Sequence, residues 1–164
     1  MSTPVSIYEA AGEAVKSGRS FALCIIIEKQ GSAPRDVGSK MIVFEDGTKI
    51  GTLGGGAFER LVISEAIKAL KEGKSKVLTF SFMEQSPPNT IPTGLICGGL
   101  AKVYIDVVKP RPTVYLLGAG HIAKPLADII NILGFPVIVV DDNPDFANRD
   151  RYPYAKDIIV DTWE

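Results

Sequence analysis

Between residues 113 and 141 the chain runs through an order of residues that few folds accommodate. Thr113-Val-Tyr-Leu-Leu117 is a short apolar run that reads as a buried strand. Gly118-Ala-Gly120-His-Ile-Ala123 follows, then a helical segment to about Leu133, a break at Gly134-Phe-Pro136, a second apolar run at Val137-Ile-Val-Val140, and Asp141. Strand, G-x-G-x-x-A, helix, strand and acid, in that order, describe a dinucleotide-binding βαβ unit. Its glycines let a pyrophosphate approach the backbone, and the helix N-terminus behind them favours negative charge. Gly118, Gly120, His121 and Asp141 are therefore the cofactor-binding candidates of this segment, with NAD(P) as the ligand type. His121 is the only histidine of the chain. It is read on the first helical turn, either exposed without a task or touching a ligand phosphate or a partner. Asp157-Ile-Ile-Val160 is expected to add a third strand.

A full dinucleotide fold uses about six strands. Three would leave a parallel edge unpaired and a face bare. The expectation is that further chain or a second copy completes the sheet, and a two-fold homodimer is the simplest form. The ligand crevice normally forms between two halves of a complete sheet, so NAD(P) binding is expected to be weak or absent. Apart from His121 the segment offers no obvious proton donor, which speaks against a nicotinamide-dependent oxidoreductase. No residue is assigned a catalytic role.

A second glycine-rich stretch lies upstream. Met41-Ile-Val-Phe44, the turn Glu45-Asp-Gly-Thr48 and Lys49-Ile-Gly-Thr-Leu53 read as a β-hairpin. Gly54-Gly55-Gly56 follows. Phe58, Leu61, Val62, Ala66, Ile67, Ala69 and Leu70 then recur at helical spacing up to Gly73. Three glycines thus open a helix, where unpaired amides and partial positive charge suit an anion. A ligand cradle and a plain tight turn are both compatible with this pattern.

The remaining chain frames these two features. Thr3-Pro4 reads as a helix cap and first turn, and Ile7, Ala10, Ala11, Ala14 and Val15 as the apolar face of a helix ended by Gly18. Ser20–Lys29 is a strand in which Cys24 reads as a small core side chain. The polar loop Gln30–Ser39 carries Arg35, either solvated or an anion clamp beside Gly54–Gly56. Lys76–Phe82 reads as a strand, and Met83–Thr93, with three prolines, as irregular. Cys97, followed by Gly98 and Gly99, is either a packed thiol or one that a ligand can reach. Ala101–Val108 is a strand. Lys109-Pro-Arg-Pro112 is a stiff linker, dividing a domain of residues 1–108 from one of residues 113–164.

The 164 residues carry a net charge of −1 and no basic run, which gives a nucleic-acid role no support. No apolar stretch is long enough to span a membrane, and no charged and apolar leader opens the sequence, so a cytoplasmic location is expected. Two cysteines and one histidine do not furnish a four-ligand zinc site.

Taken together, Gly31-Ser-Ala-Pro-Arg35, Gly51-Thr-Leu-Gly-Gly-Gly-Ala-Phe-Glu59, Cys97-Gly98-Gly99, and Gly118–Ala123 with Val140-Asp-Asp-Asn-Pro144 resemble the XdhC/CoxI family, accessory factors of xanthine dehydrogenase and related molybdenum hydroxylases. The resemblance spans nearly the whole chain. It implies an α/β protein, an N-terminal α+β domain followed by a partial Rossmann-like βαβ unit. It implies molybdenum cofactor (molybdopterin) as the cargo, an apo molybdenum hydroxylase as the client and a sulfur-donating desulfurase as a further partner. On this view Arg35, Gly54, Gly55, Gly56, Glu59, Cys97, Gly98 and Gly99 belong to the cofactor site, with Cys97 the soft thiolate toward molybdenum. The sequence departs from the family by stopping partway through its second domain and by carrying Ala123 in place of a third glycine. A nicotinamide-dependent oxidoreductase and a non-catalytic assembly scaffold are the competing readings.

Overall fold

The computed structural model describes residues 4–162; Thr3, read as a cap, lies outside them. The chain divides after Pro110 into two compact units.

The first unit contains α1 (Pro4–Lys16), β1 (Phe21–Gln30), β2 (Lys40–Phe44), β3 (Lys49–Gly51), α2 (Gly56–Glu72), β4 (Lys76–Ser81), β5 (Ile91–Pro92) and β6 (Leu100–Val108). Its six strands lie in the order β3-β2-β1-β6-β4-β5. All neighbours are antiparallel except β4 and β5. Alternation along β1 and β2 explains the layering, because successive side chains point to opposite faces. Ala22, Cys24, Ile26, Met41 and Val43 turn toward α2 and pack with Phe58, Val62 and Phe80. Phe21, Ile42 and Phe44 turn the other way and meet Ile7 and Ala14 of α1. The apolar run Phe21–Ile26 of β1 is buried or part-buried on both faces, and exposure begins at Ile27.

Two expectations need correction here. Val15, placed on the apolar face of α1, is exposed; the buried stripe follows Ile7 and Ala14. The proline-rich stretch is not wholly irregular, since Ile91–Pro92 pairs with Phe80–Ser81 as β5. That strand is the sheet edge, where proline's missing N–H costs no ladder bond.

The second unit contains β7 (Val114–Leu117), α3 (Ala123–Ile132), β8 (Val137–Asp141) and β9 (Asp157–Val160). Its three strands are parallel in the order β7-β8-β9. Leu116, Val139 and Ile158 are in register, and this face packs with Ala127 and Tyr152. The opposite face is less covered. Tyr115, Leu117 and Ile159 are exposed there, while Ile138 between them is buried. β7 is therefore not the buried strand its composition suggests: only Leu116 of its four residues is buried. His121 also falls two residues short of the helix, in the turn before α3 rather than on its first turn.

Candidate functional site

Three sequence motifs of the first unit converge. The loop after β1 lies between two glycine turns. At one end it touches Gly54: a Cβ added there would sit 2.5 Å from Pro34 Cβ and 3.3 Å from Arg35 Cγ. At the other end it lies backbone to backbone against the cysteine turn. A Cβ at Gly99 would sit 2.2 Å from Ser32 O and 2.5 Å from Gln30 O, and one at Gly31 would sit 2.7 Å from Gly98 O. Contacts so short admit no side chain, so glycine at 54 and 99 is what lets the three segments touch.

The cysteine turn is also pinned from beneath. The amides of Cys97 and Gly98 both donate to Phe82 O, at 2.9 and 2.8 Å, and Phe82 N donates to Gly99 O at 2.9 Å. The Phe82 ring stands edge-on to Phe58, 5.1 Å between centroids, in the first turn of α2. The helix opened by the three glycines and the turn carrying Cys97 thus share one aromatic contact. Cys97 and Arg35 are exposed at the surface of this cluster, as are Gly54, Gly56 and Gly98. Cys24 is fully buried, and burial pushes its thiol up to about 12, which leaves it inert.

Glu59 has a different task from the one expected of it. Its carboxylate is not presented to a ligand. It accepts hydrogen bonds from Leu53 N at 2.9 Å, Gly55 N at 3.1 Å, the Thr52 hydroxyl and the Lys49 ammonium. The residue is 6% exposed. Burial works to raise its pKa, but these four donors outweigh burial and hold it at about 2. A fixed carboxylate therefore closes the turn from inside and takes two of its amides. Among the first amides of α2, which have no acceptor within the helix, those of Gly56 and Ala57 belong to residues that are not fully buried, whereas Phe58 is fully buried. The amides of Gly56 and Ala57, with Arg35, are the donors left for an anion. Lys49 and Thr52 escaped the sequence reading, although an acid in the first helical turn is a known capping signal.

In the second unit Gly118, Gly120 and His121 line an open hollow of about 400 Å³ with Leu116, Leu117, Ile122, Ala123 and Leu126. Asp141 does not face this hollow as a free acceptor. Its Oδ2 accepts Ala119 N, its Oδ1 accepts Asn143 N at 2.9 Å, and these bonds hold its pKa below the ordinary carboxylate range. Ala119 O in turn accepts the Tyr152 hydroxyl at 2.9 Å. The glycine loop is fastened by its own unit, and the acid expected at a dinucleotide is the fastener. Tyr152 was invisible to the motif, being 33 residues away from Ala119. Among the described residues no cluster of three or more His, Cys, Asp or Glu could hold a metal ion, and no helix is long and apolar enough to cross a membrane.

A six-stranded mixed sheet with helices on both faces, joined to a parallel βαβ unit, is a mixed α/β architecture with a Rossmann-type second half. The chain belongs to the XdhC and CoxI family: that family's profile matches residues 14–81, and the profile of the XdhC Rossmann domain matches residues 114–163. Among curated relatives it is 34% identical over 149 residues to the Escherichia coli (strain K12) protein YqeB, covering 91% of this chain and 27% of that one. It is 34% identical over 123 residues to the molybdenum cofactor insertion chaperone PaoD of the same organism, covering 74% of this chain and 37% of PaoD. The chain thus spans well under half the length of these relatives.

Proposed function

We propose that this chain binds molybdenum cofactor and delivers it to an apo molybdenum hydroxylase of the xanthine dehydrogenase type, acting in the cytoplasm with a sulfur-donating desulfurase as a further partner. One observation carries the reading: a single loop, Gly31–Arg35, lies against both the helix-opening glycines and the turn bearing the exposed Cys97. The cargo is a phosphorylated pterin whose own dithiolene holds the metal. A carrier needs a cation and free amides for the phosphate and one soft donor for the metal, not a ligand cage. Arg35 with the first amides of α2 supplies the former, and Cys97 the latter. Gly55, Gly56 and Gly98 border open space, so backbone approach there meets no side chain. PaoD's name, as a cofactor insertion chaperone, supports the same role.

In this reading residues 1–108 form the cargo domain, 109–112 the linker and 113–164 a Rossmann-like half that serves assembly as a homodimer. The fastening of Ala119 and Asp141 supports weak or absent NAD(P) binding. The test is anaerobic purification followed by metal analysis and pterin mass spectrometry, then titration of variants with the phosphorylated pterin. Arg35→Ala is expected to weaken binding by about 1–3 kcal/mol, and Cys97→Ser to lose molybdenum while keeping pterin phosphate affinity. Unchanged binding in both variants removes this cluster from the function. Tight NAD or NADP binding by calorimetry favours an oxidoreductase instead.

A further inference from the structure

The carboxylate that closes the first glycine turn is an obstacle to an anion at the start of α2. Glu59 Oε2 accepts Leu53 N at 2.9 Å, Gly55 N at 3.1 Å and the Thr52 hydroxyl. Its side chain is 8% exposed, so water screens its charge poorly. Gly54 N is taken as well, donating to the Thr52 hydroxyl oxygen at 3.1 Å. The next amides along the backbone are those of Gly56 and Ala57, the two open to a phosphate. A fixed negative charge therefore stands one peptide away from where the phosphate would arrive. The three donors on Oε2 are neutral. They orient the carboxylate and leave its charge in place, and that charge persists at neutral pH, since the carboxyl sits at about 2.

One side chain supplies the opposite charge. The ammonium of Lys49, on β3, bonds Glu59 Oε1, the oxygen that no amide uses. Its only other bond, to Gly51 O, is long at 3.5 Å. A carboxylate that needed only to be held already has three donors. The fold nevertheless sets a cation on its remaining oxygen, from the short strand that leads into the glycine turn.

We propose that Lys49 is a positioning residue of the anion site and acts through Glu59: it cancels the carboxylate's charge beside Gly56 and Ala57, so that Glu59 holds the turn without repelling the phosphate. Lys49 itself touches no ligand in this arrangement. With Glu59 balanced, the charge of Arg35, on the loop that lies against Gly54, is left for the ligand. The inference rests on the anion site of the cargo reading and adds a residue to it. A lysine that merely fastened β3 to α2 would act through stability, and each further bond lost from the turn would weaken binding more. A lysine that balances charge behaves otherwise, because its loss is reversed by removing the charge that it balances.

The experiment titrates the full chain with molybdopterin, without oxygen, and separately with inorganic phosphate, at low and at raised salt, with circular dichroism to follow the fold. Lys49→Met is expected to weaken both ligands about tenfold, the effect of one uncompensated charge at this range. That loss is expected to shrink as salt rises. Lys49→Arg keeps the charge and is expected to bind within about twofold of wild type. Adding Glu59→Gln to Lys49→Met removes the charge at nearly constant shape and is expected to restore affinity to within about threefold of wild type. Where Lys49→Met does not fold, Lys49→Gln, which keeps a donor and loses the charge, takes its place. Wild-type affinity in the Lys49→Met protein overturns the proposal. So does a double variant that binds no better than Lys49→Met, or a Lys49→Arg protein as weak as Lys49→Met. Phosphate binding with the expected pattern, but no molybdopterin binding, supports the charge balance and overturns the cargo reading. Molybdopterin binding that ignores Lys49 does the opposite. A wild type that binds neither overturns both.

Discussion

The two units are both built from strongly apolar sequence and differ in how they close. In the first, α2 covers one face of the sheet and α1 the other, and Phe58 meets Phe80 and Phe82 edge-on at 5.2 and 5.1 Å in a fully buried cluster. In the second, one helix and a few turns cover one face, and large apolar side chains on α3 and β7 stay in solvent. About 50 residues cannot bury much of their own surface, whereas about 110 can close a core. Stability therefore resides in different places in the two units. The first holds itself together by internal packing and buried hydrogen bonds. The second has a smaller core and leaves apolar side chains of α3 and β7 exposed.

Single substitutions test that contrast. The largest effect is expected at the centre of the first core. Phe58→Ala should cost about 3–5 kcal/mol in chemical denaturation, since a buried ring is lost and the aromatic cluster around it cannot close up. A cost below about 1 kcal/mol would show that this core is looser than its packing implies.

Glu59 gives the next effect and a pH signature. Its folded carboxyl sits at about 2, below the ordinary 4.5, so its stabilisation is full above pH 4.5 and drains away as pH falls toward 2. The difference corresponds to on the order of 3 kcal/mol at neutral pH. Glu59→Gln should lose most of it and flatten the acid limb of the stability curve, followed by denaturation between about pH 2 and 6. A variant with an unchanged acid limb would mean that other carboxylates dominate.

Cys24→Ser buries a hydroxyl among Ile26, Val103 and other apolar side chains and should cost about 1–3 kcal/mol. Cys97→Ser, at an exposed turn, should change stability by less than about 0.5 kcal/mol. Alkylation of the native protein should mark Cys97 and spare Cys24; the reverse order would contradict the burial.

The smallest effect is expected in the second unit. Ile132 is 81% exposed. Ile132→Ser should leave the unfolding free energy, followed by chemical denaturation, within about 0.5 kcal/mol of wild type. A larger loss would mean that this side chain is covered in solution.

What the sequence disclosed follows from the range of the interactions involved. The second unit was legible in full order, because a βαβ unit is written in local signals: an apolar run, glycines, a helical period, another run. The glycine-opened helix α2 and its αL cap at Gly73 were legible for the same reason. The strand order of the first sheet was not, since nothing near Leu100–Val108 says that it pairs with Phe21–Gln30, far earlier in the chain. The site was half legible. Arg35, Gly54 and Cys97 stood out by type, but their convergence rests on Gly99 against Ser32, a contact with no local trace. Glu59 was misread because a first-turn acid can serve a ligand or its own helix, and only the positions of Lys49 and Thr52 decide. A bare face was expected of three strands, but β7 itself was read as buried, because apolar composition records what a residue prefers, not whether anything is there to cover it.

The position of β6 has a consequence for how the protein is made. It is the last strand of the first unit in the chain, yet it lies in the interior of the sheet, between β1 and β4. On a ribosome, β3-β2-β1 and β4 are all synthesised while their shared neighbour is still missing. Until Val108 has left the exit tunnel, both fragments carry an open inner edge and an unsealed apolar face, at synthesis speeds of about 5–20 residues per second. The nascent chain is therefore exposed for several seconds at its most aggregation-prone, and closure comes in one late event when β6 slots between two waiting strands. Rare codons just upstream of Leu100 would lengthen that exposure, and a holding chaperone would act on the β1 edge.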